Sequence, residues 1–339
     1  MVLDFQTLSS VIFGVQSFRE IDGALVIRRY SDVQANSLWN KMTSQQKRPT
    51  SVYFEFETDA ESLSVTYRGA QTDAKIGMLN FSVFENGQLS GHYALPHVSR
   101  PEDTKLITFS DGQADFTLRK GMKKVTLYLP LMVIELTSIS VSDGAKIVPC
   151  KRSGKMAVYG DSISEGFYTE VAGMSYFDQL CREFDCEGYN FSVGGSKFRP
   201  EYVPENSVPD CDRYLVAFGT NDFRRSTKEV FDEAMTGFFK RLFAQVTQKP
   251  VYVILPIWRT SEKKVFNYGA DLFAVRDAIA AEASKYPNAV VINGRELTPT
   301  AMAAMCDGTH PNALGHTHYA MNLAKKIYAY ENEMKGKNR

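Results

Sequence analysis

Four short blocks carry the side chains able to do nucleophilic chemistry. The first, Gly160-Asp161-Ser162-Ile163, follows an apolar run over 155–159, so Ser162 stands where such a strand would end. In an open parallel sheet ligands bind beyond the carboxyl ends of the strands, which puts Ser162 at the edge of a site. The same residues also suit a polar turn with a helix cap. In the second block, Asn190-Phe191-Ser192-Val193-Gly194-Gly195-Ser196, paired glycines let the backbone approach a ligand and present a bare N–H group. Gly219-Thr220-Asn221-Asp222 reads as a loop capped by Asn or Asp or, in an acyl-transfer site, as the source of an oxyanion donor in the Asn221 amide. The fourth block, Asp307-Gly308-Thr309-His310-Pro311-Asn312, sets an acid three residues before a histidine. One short turn can then hold both a base and the group that orients it.

The chain has five histidines, His92, His97, His310, His316 and His318, and of these only His310 has an acid at that spacing. His316 and His318 lie further along a last helix, where solvated or packed roles are expected, and His92 and His97 belong to the first half. A metal site from His310, His316 and His318 is poorly patterned, so none is expected. Without a Walker loop or dinucleotide fingerprint no cofactor is expected, and no Gly-x-Ser-x-Gly elbow competes for the nucleophile.

The elements that must position these blocks change character near Cys150. Before it, apolar residues alternate, as in Val52-Tyr53-Phe54-Glu55-Phe56-Glu57 and Val125-Thr126-Leu127-Tyr128-Leu129, and predict strands. Asn86-Gly87, between extended runs from Met78 to Phe84 and Gln88 to Ala94, predicts a tight hairpin. Residues 1–150 are expected to form an all-β sandwich, jelly-roll-like. After Cys150 short apolar runs alternate with amphipathic stretches, the pattern of β/α units around a parallel sheet, and residues 151–339 form the second domain. Strands are expected at 155–159, 188–192, 214–218, 251–256 and 289–293. Ser226-Thr227-Lys228-Glu229 has the form of a capping box ahead of a helix burying Phe231, Met235, Phe238, Leu242 and Val246. A last helix over 311–331 would carry Pro311 in its first turn.

Together and in this order, the blocks resemble the SGNH (GDSL-type) hydrolase superfamily: Ser162 in Gly160-Asp161-Ser162, Gly195, Asn221 in Gly219-Thr220-Asn221-Asp222, and His310 with Asp307. The resemblance implies a flavodoxin-like three-layer α/β/α domain. It implies Ser162 as nucleophile, His310 as base and Asp307 as its orienter. The oxyanion hole would be Ser162 N–H, Gly195 N–H and the Asn221 side chain. Ser192 stands where relatives often carry glycine, so Gly194 competes with Gly195 for the second donor.

A β-sandwich ahead of such a domain resembles the two-domain carbohydrate esterases that remove acetyl groups from plant polysaccharides. That implies a serine esterase acting on short acyl groups, with a sugar ester as substrate. Trp258 and Arg259, at the end of the fourth strand, could bind it by stacking on a ring and donating to hydroxyls, although Trp at a strand end is also a common core plug. Arg224 and Arg225 stand at the rim or on the solvated surface. No long apolar lid is apparent, which argues against a lipase meeting a membrane. The alternatives are a general short-chain carboxylesterase, thioesterase or lipase-like acylhydrolase, and an inactive carbohydrate-binding protein.

The 339 residues suit about two domains. With 44% apolar and 23% charged residues the chain is of ordinary globular composition. Thirty-nine Lys plus Arg balance thirty-nine Asp plus Glu, so neither nucleic acid nor an anionic membrane is expected as a partner, and a homo-oligomer is left open. Five scattered cysteines without Cys-x-x-Cys spacing read as reduced thiols. The N-terminal residues show no secretory pattern, which gives a cytoplasmic expectation.

Overall fold

The computed structural model describes residues 1–38, 43–69, 71–73, 79–99 and 106–337. Residues 12–149 hold antiparallel sheets. One runs, in spatial order, Ile12–Phe13, Tyr53–Thr58, Lys123–Tyr128, Asn80–Glu85 and Gln88–Ala94, with Val148–Pro149 also paired to Tyr53–Thr58. A second runs Gly112–Thr117, Ser62–Arg68, Glu135–Val141, Ala24–Arg28 and Ser17–Ile21. Phe54, Phe56, Val83, Val125 and Leu127 of the first share one core with Leu63, Val65, Leu136 and Ile139 of the second, which makes the pair a sandwich. A third, three-stranded sheet joins Gln71–Asp73, Leu106–Phe109 and His97–Ser99. Asn86 and Gly87 turn the hairpin with φ of 50° and 82°, the left-handed pair a two-residue type I′ turn needs. Met78, the expected start of that hairpin, lies outside the described residues.

The alternation in the first sheet does not separate core from solvent. Tyr53, Glu55, Tyr128, Ser82 and Phe84 are all buried. The outer face of this sheet docks on the second half of the chain: Tyr53, Phe84 and Tyr128 cluster with Ala172 and Met174, and Arg182 reaches across to the Tyr128 hydroxyl at 3.0 Å. Glu55 is paired there with Arg152 at 2.6 Å and accepts from Thr126 Oγ1 at 2.7 Å, so no charge is left buried alone.

The second half is a parallel sheet of five strands: β1 Gly154–Gly160, β2 Cys186–Asn190, β3 Arg213–Ala217, β4 Val251–Ile254 and β5 Ala289–Ile292. Their spatial order is β2-β1-β3-β4-β5, the flavodoxin-like 2-1-3-4-5 arrangement. Helices cover both faces. Met156 and Val158 of β1 point to α2 (Tyr176–Glu183) and α5 (Ala313–Lys337), while Ala157 and Tyr159 point to α3 (Lys228–Gln245) and α4 (Leu272–Ala283). The short α1, Ser162–Glu165, follows β1 directly. All five cysteines are free thiols, and no described helix is long and apolar enough to cross a membrane.

Three local expectations need correction. The second strand begins two residues earlier than expected, because Cys186 pairs with Gly154 and the Asn190 side chain then accepts from Ser192 N at 3.0 Å and ends it. Thr227, not Ser226, caps α3: it accepts from Val230 N at 3.4 Å, while Ser226 closes the preceding turn Asp222–Arg225 and accepts from Lys197 at 2.9 Å. Phe231, Met235, Phe238, Leu242 and Val246 are all buried. Pro311 is outside α5. It bridges to Met305, and Asn312 takes over the start of the helix by accepting from Gly315 N at 3.1 Å.

Candidate active site

β1 delivers its last residue, Gly160, where a side chain would overlap Ser164, so the strand can turn into α1 only through glycine. Asp161 caps α1 by accepting from Ile163 N at 3.0 Å, and Ser162 becomes its first residue. The Ser162 hydroxyl lies 2.8 Å from His310 Nε2, and His310 Nδ1 lies 2.9 Å from Asp307 Oδ2. An ionised carboxylate only accepts, so the imidazole proton sits on Nδ1 and Nε2 is free to take the proton of the Ser162 hydroxyl. The other Asp307 oxygen accepts from Thr309 N at 3.0 Å and His310 N at 2.8 Å. Burial would raise the Asp307 carboxyl, but the hydrogen bonds from His310 outweigh it and hold the group below its ordinary range. The loop itself is braced by Cys306 N on His310 O at 2.8 Å and Asn312 N on Ala304 O at 3.1 Å.

After β2 the chain makes a turn over 193–196, closed by Ser196 N on Val193 O at 3.0 Å, with Gly195 at φ 78° in its third position. That positive φ is what a type II turn requires. Gly194 N–H donates to Glu165 Oε2 at 2.6 Å and is therefore occupied. Neither Ser162 N–H nor Gly195 N–H has a hydrogen-bond partner among the described residues. The third strand brings Asn221 to the same place. Its amide donates to Ser196 O at 3.0 Å and makes a longer contact of 3.3 Å with Asp161 Oδ2. Burial pushes the carboxyl of Asp161 up to about 6 and that of its neighbour Asp222 up to about 7. Ser162, Asp307, His310, Gly195 and Asn221 thus come together from four separate blocks.

Residues 158–318 match the model of the GDSL-like lipase/acylhydrolase family. The second half resembles that family over most of its length. It is a carboxylic-ester hydrolase domain, and the full chain finds its fold in several solved structures. The salicylyl-acyltransferase SsfX3 from a tetracycline biosynthetic pathway superposes with a TM-score of 0.80 at 18% identity, covering 94% of each chain. The acetyl xylan esterase Est2A of the rumen bacterium Butyrivibrio proteoclasticus gives 0.63 at 12% identity over 98% of each chain. A family two carbohydrate esterase from Clostridium thermocellum, in complex with cellohexaose, gives 0.60 at 14% identity over 83% of this chain and 92% of its own. No protein of curated function matches the sequence.

Around the His310 loop of this GDSL-like hydrolase the sequence reading missed two supports. Phe167 and Tyr168, just after α1, set their rings against His310, with centroids 6.1 and 5.2 Å away. Leu131 of the sandwich half packs on Phe167, and the Arg48 guanidinium lies 5.9 Å from its ring centre. The second support is His316, fully buried, whose Nδ1 accepts from Tyr176 N at 3.2 Å and whose Nε2 therefore donates to Phe167 O at 3.3 Å. Burial depresses this imidazole from 6.5 to about 4. A histidine with a lowered folded pKa stabilises the fold fully above 6.5 and loses that contribution as pH falls toward 4, by about 3 kcal/mol at most. The difference in urea-unfolding free energy between wild type and His316→Gln is expected to shrink from pH 7 to pH 4.5, and a constant difference would remove the buried neutral imidazole from the account.

Trp258 and Arg259 do not stand as a sugar platform. Trp258 is half-buried against the core between the sheet and α5. Arg259 is buried and donates to Thr220 O at 3.2 Å, Ser261 Oγ at 3.0 Å and Thr309 Oγ1 at 3.0 Å, so its guanidinium ties the Asn221 block to the His310 loop rather than facing solvent. Arg224 and Arg225 are exposed, and Arg225 comes within 3.5 Å of Gly195 O. His92 is exposed on its strand, His318 is half-buried on α5, and the His97 side chain lies outside the described set. Among the described residues no three His, Cys, Asp or Glu side chains are arranged to hold a metal ion.

Proposed function

We propose that this chain is a serine esterase that removes short acyl groups, O-acetyl groups on carbohydrates in particular. The observation that carries the mechanism is the unbroken hydrogen-bond chain from Ser162 Oγ through His310 to Asp307, at 2.8 and 2.9 Å. A serine hydroxyl is a weak nucleophile at neutral pH and needs such a base. In the proposed cycle Ser162 Oγ attacks the ester carbonyl as its proton passes to His310 Nε2, and Asp307 stabilises the imidazolium. Negative charge on the carbonyl oxygen is met by Ser162 N–H, Gly195 N–H and an Asn221 amide hydrogen that leaves its long contact with Asp161. His310 then protonates the departing alcohol, and water, deprotonated by the same histidine, releases the acid and restores Ser162.

Two things support the carbohydrate side of this reading. The likeness to an acetyl xylan esterase and to a family two carbohydrate esterase runs through the sandwich as well as the catalytic half. The sandwich also reaches the aromatic ring behind His310, since Leu131 and Arg48 both lie against Phe167. The deciding experiment is acetate release from acetylated xylo-, manno- and pectic oligosaccharides beside p-nitrophenyl acetate and octanoate, with Ser162→Ala as blank. Sugar-ester turnover well above aryl-ester turnover is expected. Cleavage of the aryl esters alone would make this a general short-chain esterase. A cytoplasmic enzyme would meet acetylated oligosaccharides rather than intact polymer, and finding the native protein outside the cell would overturn that part.

A further inference from the structure

The turn that bears Gly195 is held from the other half of the molecule. We propose that Glu165 is a positioning residue for the oxyanion hole and that Arg48, Thr50 and Arg29 of the sandwich half hold it in place. This rests on the reading of Gly195 N–H as an oxyanion donor.

Glu165 is wholly buried at the end of α1, three residues after Ser162. One carboxylate oxygen accepts from Gly194 N–H at 2.6 Å. The other faces Arg48 Nη1 at 3.3 Å, Thr50 Oγ1 at 3.4 Å and Arg29 Nη2 at 3.8 Å. A carboxylate without water must be paired and hydrogen-bonded, and among the described residues the pairing cations come only from the first fifty. Arg29, itself 1% exposed, also donates to Asn190 O at 2.6 Å and Ser192 O at 2.8 Å, on the stem of the same loop. Gly194 has no room for a side chain, since a Cβ would lie 2.8 Å from Phe167 and 3.2 Å from the Glu165 carboxylate.

The result is a sorting of three consecutive backbone donors. Gly194 N–H is tied back to Glu165, Ser196 N–H closes the turn on Val193 O, and the Gly195 N–H between them is left for a ligand. Glu165 therefore joins the helix of the nucleophile to the second donor. It touches neither substrate nor reacting atoms, so its effect passes through the orientation of Gly195. Loss of a whole oxyanion donor costs about 10²–10³ in kcat, and a tilted one should cost less.

Glu165→Gln keeps the shape but sets an amide N–H group against two guanidinium groups, and Arg48→Met removes the nearer cation while keeping an apolar stem over Phe167. For p-nitrophenyl acetate we expect kcat to fall about tenfold in Arg48→Met and by up to about 10² in Glu165→Gln, with KM within about threefold. Arg48→Lys should recover part of the loss. Phenylboronic acid adds the Ser162 oxygen to boron as the serine proton passes to His310, and places a boron-bound oxygen in the hole. Its affinity should weaken in step with kcat. A change in melting temperature with kcat and boronate affinity intact would make Glu165 a mere brace and overturn the proposal. Asn221→Ala in the same assays tests the oxyanion reading separately: unchanged kcat there sinks the reading itself. If Asn221→Ala is impaired while folded Glu165→Gln and Arg48→Met are not, only the positioning role falls. Should the charge variants fail to fold, Thr50→Val, which loses one hydroxyl at constant shape, decides the matter, with a twofold to threefold fall in kcat expected and no fall counting against the role.

Discussion

Ser162→Ala is expected to lower kcat on p-nitrophenyl acetate, and on whichever acetylated oligosaccharide proves best, by about 10⁴-fold or more. The size follows from what is lost. In the proposed cycle no acyl-enzyme forms without Oγ, and His310 Nε2, left with no hydroxyl at 2.8 Å, can only assist water directly. The Ser162 and Gly195 N–H groups and Asn221 remain, so residual turnover above the uncatalysed rate is expected from the hole alone. The fold should be nearly indifferent, because among the described residues the hydroxyl's one hydrogen bond is to His310, and α1 keeps its cap at Asp161. A variant retaining more than a few per cent of kcat would remove Ser162 from the chemistry and turn the Gly160-Asp161-Ser162 block back into a capped turn.

Asn221→Ala comes next, with a fall in kcat of about 10²–10³ and a smaller change in KM, since the interaction strengthens only as the oxyanion forms. The structure adds a second effect that the assay must separate. The same amide holds Ser196 O at 3.0 Å and stands 3.3 Å from the buried Asp161 carboxyl, so its removal leaves two acceptors short of a donor, a cost of about 1–3 kcal/mol in stability. Urea unfolding and kcat should therefore both drop. A stability loss with unchanged kcat would reduce Asn221 to a clamp between the first and second blocks.

What the chain discloses by itself is the part governed by local rules. Apolar runs and their spacing mark all five parallel strands to within two residues, and the Gly-Asp-Ser, Gly-Thr-Asn-Asp and Asp-x-x-His blocks fall at strand ends or before the last helix because a doubly wound sheet puts its site there. The rest depends on pairings distant in sequence. The choice between Gly194 and Gly195 is made by Glu165, whose partner across the turn no local pattern reveals. Arg259 looks like a rim donor until Thr220 and Thr309 are seen to surround it. Tyr53 and Glu55 alternate like any half-exposed strand, and only the docking of the second half shows that their face is covered. The cap of α3 is Thr227 rather than Ser226, and α5 starts two residues later than expected, because Ser226 already closes the preceding turn and Pro311 bridges to Met305.

The buried Arg29 has a consequence for the order of assembly. Two of its four carbonyl partners, Gln45 O and Arg48 O, lie within 19 residues, but the other two, Asn190 O and Ser192 O, lie 161 and 163 residues further along the chain. During synthesis at about 5–20 residues per second, the strands of residues 12–149 are complete seconds before Asn190 and Ser192 leave the ribosome. In that interval Arg29 has only its near partners, the Nη1 end that later reaches Asn190 O and Ser192 O stays solvated, and the outer face carrying Tyr53 and Phe84 stays wet. The nascent chain thus carries a finished sandwich with an unfinished side, and closing it coincides with seating the turn beside Ser162. Once closed, neither half can open without stranding the charges of Arg29, Arg48 and Glu165, so a single cooperative melting transition is the natural behaviour of the whole chain.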